Sequence, residues 1–127
     1  MLKLIWMALA GAALALGGCA AVQVANDPVD RVALQKAAFA ARATYVGLLE
    51  VAVTVTDMPR CERAKPPCVY QGAVNTIRSA QKTAGDATKT ADALARDLKA
   101  DPTVLALTVD AATRSVTVFQ NAVDRSQ

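Results

Sequence analysis

The chain has 127 residues, 14 Lys and Arg against 11 Asp and Glu, a formal net charge of +3 and no histidine. That length holds one small domain, and so slight an excess of positive charge is no footprint for nucleic acid. Hydrophobic residues reach 54% while aromatics are only 4%, so a core must form by small side chains letting backbones come close, as in thin helical packing.

The amino-terminal stretch MLKLIWMALAGAALALGGC has one charge at Lys3, an uncharged run from Leu4 to Leu16, then Gly17-Gly18 before Cys19. Charge, apolar run and small residues in that order are the layout of an export signal. A membrane-spanning helix needs about 20 apolar residues, and this run breaks too early for a comfortable span. Residues 1–18 are therefore expected to be a removable signal peptide. Taking 18 from 127 leaves 109 residues, from Cys19 to Gln127.

The residues Leu16-Gly17-Gly18-Cys19 resemble the lipobox of bacterial lipoproteins, with an aliphatic residue three before the cysteine and small residues directly before it. The resemblance implies alkylation of the Cys19 thiolate by a diacylglyceryl donor and cleavage between Gly18 and Cys19. It also implies acylation of the new amino terminus, so that Cys19 carries two or three acyl chains. One chain binds a membrane marginally, whereas two or more hold firmly at about 0.8 kcal/mol per buried methylene. Ala20, standing where aspartate tends to retain such proteins in the inner membrane, implies the periplasmic face of the outer membrane. The covalent lipid is the only cofactor-like group expected.

Residues 19–27 then form the lipidated cysteine and a short tether, and residues 28–127 the folded domain. Asp27-Pro28-Val29-Asp30 is a helix-start signal: Asp27 can cap, Pro28 lacks a donor where none is needed, and Asp30 opposes the dipole. From Val29 to about Thr56, Ala33, Leu34, Ala37, Ala41, Tyr45, Leu48, Ala52 and Val55 recur at helical spacing, with Gln35 and Arg42 on the other side. Val32, Phe39, Val46, Leu49 and Val53 leave that polar side incomplete. Two readings follow: the helix is central and touches neighbours on two sides, which is favoured, or it presents an apolar face to a partner through residues such as Phe39, Val46 and Leu49. The alternating VAVTVT of Val51–Thr56 would suit a strand, but no second strand candidate exists to pair with it, and helix is expected.

Asp57 to Cys68, DMPRCERAKPPC, holds three prolines and two cysteines and reads as a loop. With Cys19 lipidated, Cys61 and Cys68 are the remaining pair, and in an exported protein a disulfide is the economical reading. A metal site would need ligands that a histidine-free chain lacks, and a redox pair usually has two intervening residues rather than six. No metal is expected. Arg60, Arg63 and Lys65 make this tip either a basic knob for an acidic partner or simply a solvated turn, the latter being favoured.

From about Val69 to Ala100, Tyr70, Ile77, Ala84, Ala91 and Leu98 stand seven apart, with Ala73, Ala80, Ala87 and Leu94 three beyond the first four. That is a coiled-coil-like seam with alanine at its centre, in which Gly85 is a weak point. Asp101-Pro102 repeats the cap-then-proline signal and starts the last helix after one tight turn. There Leu105, Ala112 and Phe119, and Val109, Val116 and Val123, form one stripe. The expected fold is all-α: an antiparallel up-down-up three-helix bundle with a disulfide-stapled loop between helices one and two.

No residue set makes a credible catalytic site. Ser79, Ser115 and Ser126 lack a base, Glu50 and Glu62 are the only glutamates, and the aspartates gather at helix starts and exposed heptad positions. The expectation is a non-enzymatic, membrane-anchored periplasmic lipoprotein with a structural or protein-interaction role, its partner another envelope protein. The alternative is a small apolar-ligand carrier binding between helices. Linkage to peptidoglycan, as in the murein lipoprotein family, needs a terminal lysine, whereas this chain ends Asp124-Arg125-Ser126-Gln127. Small alanine-rich lipoproteins of bacteria and their prophages look similar, which admits a prophage-encoded envelope role without supplying an activity.

Overall fold

The computed structural model describes residues 30–62 and 65–126. Within them the chain forms α1 (Arg31–Thr56), α2 (Gln71–Arg96) and α3 (Pro102–Asp124). Each helix packs on both others. The amino-terminal end of α1, the carboxy-terminal end of α2 and the start of α3 share one apolar cluster, built on Leu34, Ala95 and Leu105. The opposite ends share another, built on Val55, Val74 and Val123. The bundle is therefore up-down-up and antiparallel, as expected.

Helix ends follow from capping chemistry. The Asp101 side chain accepts from Thr103 N at 2.7 Å and Val104 N at 3.2 Å, with Pro102 in the first turn. These amide donors hold the Asp101 carboxyl below the usual carboxylate range, Val104 contributing most. At the start of α1 the cap is Asp30, accepting from Val32 N at 2.9 Å. This corrects the expected start: the helix opens at Arg31, and Asp27-Pro28 lie outside the described residues. The expected end of α2 is also corrected. Its helix stops at Arg96, and residues 97–101 connect it to α3, so the turn is longer than one cap and Leu98 stands exposed in it. α1 closes over that connection: Arg31 donates to the carbonyls of Ala100 and Asp97, and Gln35 to that of Ala95 at 2.7 Å. Ala95 O lies in the last turn of α2, where donors and positive charge are favourable, while Ala100 O and Asp97 O, the latter also accepting from Ala100 N, belong to the connection itself. Gln35 thus serves α2 rather than a solvent face.

All six stripe positions of α3 are buried, with Phe119 fully enclosed in the tip-side core. Val51–Thr56 is helical. In α2 the buried face is broader than a two-position seam. Ile77, Ala80, Ala84 and Ala91 are buried as expected, but so are Val74, Thr88 and Ala95, while Tyr70 lies before the helix and is exposed. A helix touching two neighbours needs a wide apolar face rather than a narrow stripe. The buried Thr88 hydroxyl is satisfied within its own helix, donating to Ala84 O at 2.8 Å.

Gly85 has a packing role. A β-carbon there would lie 2.6 Å from Tyr45 Oη and 3.1 Å from Tyr45 Cζ. The Tyr45 ring of α1 crosses α2 at this glycine and meets the Phe119 ring at 5.8 Å between centroids. Gly85→Ala is worth up to about 1 kcal/mol to a bare helix, yet it is expected to lower stability in this protein. In a Tyr45→Ala background the same change is expected to become stabilising, which a double-mutant cycle of denaturant midpoints would measure. At α3, Asp101→Asn keeps an acceptor but removes the charge. Because the folded carboxyl titrates low, its contribution is present above the ordinary carboxylate pKa of about 3.9 and lost as pH falls through the folded value. Wild type should melt above Asp101→Asn at neutral pH, with the gap closing in acid.

Candidate functional site: the stapled tip and the outer face of α1

The loop between α1 and α2 is closed by the Cys61–Cys68 disulfide, with α-carbons 5.0 Å apart. Around it the chain doubles back on itself. Cys61 N donates to Val69 O at 3.2 Å and Val69 N to Pro59 O at 2.9 Å, so two short segments pair, and Val69 is driven into the tip-side core. Arg60 braces this turn from within. Its Nη1 donates to Thr56 O at 3.1 Å and Met58 O at 2.7 Å, and its Nε to Gln71 Oε1 at 2.9 Å. The guanidinium thereby caps the last carbonyls of α1 and ties the loop to the start of α2.

Of the three basic residues expected at the tip, Arg60 is therefore half-buried and internally engaged, Lys65 is exposed, and Arg63 lies outside the described residues. Beside the staple runs an open, mainly apolar groove of about 720 Å³, walled by Val51, Val55, Met58, Pro67 and Tyr70, with Glu50 at its rim. Sequence reasoning missed this groove. Its only signal was the prolines next to the β-branched end of α1, which mark a loop folded onto a helix but not a hollow between them.

The residues proposed for an apolar face of the first helix separate into two groups. Leu49 is half-buried and packs on the tip-side core. Phe39 and Val46 are exposed, 41% and 48%, as are Val32 and Val53, both 55%. This corrects the favoured reading that α1 is sandwiched on both sides. Its inner face, buried at Leu34, Ala38, Ala41, Ala52 and Val55, packs against α2 and α3, whereas Val32, Phe39, Val46 and Val53 on its outer face belong to neither core cluster. A third helix can cover only one side of a helix that already packs on a second. Phe39 is covered in part by Arg96, whose guanidinium stands 5.2 Å from the ring centroid. Asp92, bonded to that guanidinium, raises the Arg96 pKa. By length and composition α1 is apolar enough to cross a membrane, alone among the described helices.

Among the described residues no group of three or more His, Cys, Asp or Glu could hold a metal ion. Ser115 and Ser126 donate to the carbonyls of Ala111 and Val123. Ser79 lies beside Thr83 and Arg114 on an open groove between α2 and α3. The lipidation residue Cys19 and the cleavage residue Gly18 lie outside the described residues.

Replacing both Cys61 and Cys68 with serine frees a loop closed across seven positions. Chain-entropy arithmetic gives a loss of about 2.5 kcal/mol. The expected outcome is a lower denaturant midpoint with helical circular dichroism retained; an unchanged midpoint would show that the staple adds nothing. Comparison with protein-family models, with curated proteins and with solved structures finds no match to this chain.

Proposed function

We propose that this protein is a non-enzymatic lipoprotein of the cell envelope, held by lipid on Cys19 at the periplasmic face of the outer membrane, where α1 presents a protein-interaction surface. The observation that carries the interaction role is the outer face of α1, where Val32, Phe39, Val46 and Val53 stay exposed although the bundle has a complete core without them. Contiguous exposed apolar surface of this kind is where partners dock. The anchor reading rests on the ordered signal Lys3, Leu4–Leu16, Gly17-Gly18-Cys19. A disulfide between Cys61 and Cys68 agrees with an oxidising compartment outside the cytosol.

The alternative of an apolar-ligand carrier is weaker. The hollows beside the staple and between α2 and α3 are open grooves at the surface, whereas carriers enclose most of their ligand. Phe39, Val46 and Leu49 line neither of them.

Cys19→Ser is expected to abolish incorporation of a radiolabelled or clickable fatty acid and to move the protein out of the outer-membrane fraction. Membrane retention with no lipid incorporation in the wild type would overturn the anchor.

A further inference from the structure

We infer that the outer face of α1 is a self-association surface, on which a second copy of this chain lays its own α1 antiparallel, crossing near Ala43. The inference rests on the reading of that face as a protein interface and names its occupant.

The pattern is a second heptad, independent of the one that builds the core. Val32, Phe39, Val46 and Val53 stand seven apart, and Lys36, Ala43 and Glu50 stand seven apart beside them. All seven are exposed. Two interleaved rows three and four residues apart are the seam by which one helix packs along another. The core of the bundle does not require this arrangement, since its own α1 residues lie on the opposite side.

Charge decides the occupant and its direction. Lys36 and Glu50 are opposite in sign and lie seven residues to either side of Ala43. Among the described residues neither takes part in an ion pair. A parallel second copy would set Lys36 against Lys36 and Glu50 against Glu50. An antiparallel one sets Lys36 of each copy against Glu50 of the other, twice by symmetry, as an isologous two-fold contact requires. At the crossing point the side chains are small: Ala40, Ala43 and Gly47. A β-carbon built at Gly47 meets nothing within 4 Å, so another backbone can come close there. A lipid surface fits less well, because Glu50 stands directly beside the apolar row and would enter the membrane without a partner.

The geometry is compatible with two lipid anchors in one membrane. The 26 residues of α1 at 1.5 Å each put the two amino-terminal ends about 39 Å apart. Residues 20–30 of each copy can span roughly 35 Å, so both lipids reach a bilayer along which the pair lies flat.

The test is disulfide trapping of the full-length chain in native membranes. One tagged copy carries Val32→Cys, a differently tagged copy Val53→Cys, and mild oxidation is applied. Antiparallel packing predicts a mixed product several-fold above either self-product, lost with Lys36→Glu and restored when Lys36→Glu and Glu50→Lys are combined. Self-products from Val32→Cys alone would overturn the antiparallel arrangement. Absence of any linked pair would overturn self-association. A photo-crosslinker placed at Val46 then separates the two readings: capture of a different protein leaves the interface reading standing without a second copy, and no capture removes both.

Discussion

The closeness of α2 to its neighbours is the constraint from which the other features follow. With alanine at Ala80, Ala84, Ala91 and Ala95 on its buried face, α2 can be approached almost to the backbone, and the few large side chains must fill what remains. Phe119 fills the tip-side half, and the ring of Tyr45 crosses α2 where Gly85 offers no side chain. Toward the base the core is alanine with Leu34, Leu105 and Val109. Dispersion contacts summed over such close surfaces, rather than a voluminous interior, hold the bundle together.

A core assembled in that way leaves large apolar residues over. α1 carries two apolar faces, and the bundle has room for one. The buried face of a helix is worth roughly 25 cal/mol per Å² of apolar surface removed from water, and the outer row from Val32 to Val53, about half exposed, gains only part of that in a lone copy. The same reasoning sets the tip apart. There Arg60, the disulfide and the paired segments around Val69 fix a loop that would otherwise have few apolar contacts to order it, and leave an apolar groove beside Tyr70.

Much of this was legible in the sequence because helical periodicity reports burial directly. The two interlocking heptads of α3 name all six of its core residues, and Cys61 and Cys68 name the staple. Legibility failed where a pattern outran its element. Tyr70 and Leu98 continue the α2 heptad beyond both ends of the helix, and periodicity does not say where capping stops it. It failed again where a residue had a role its type does not advertise: Thr88, buried because its hydroxyl bonds back within the helix, Gln35, reaching across to α2, and Gly85, spacing an aromatic ring rather than weakening a helix. Arg60 is the corresponding case at the candidate site, since a charged loop residue reads as solvated until its carbonyl partners are placed. Val32, Phe39, Val46, Leu49 and Val53 were legible as surplus on α1, although Val51, also exposed, was not. Whether they met a neighbour depended on the placement of α2 and α3, which no local pattern encodes.

The proposed lipoprotein is most directly tested by the intact mass of the chain purified from membranes of cells expressing it. The expected species lacks residues 1–18, is heavier than the remaining polypeptide by a diacylglyceryl group and an amide-linked acyl chain on Cys19, and is lighter by two hydrogens for the Cys61–Cys68 disulfide. A species retaining residues 1–18 with an unmodified Cys19 would contradict it.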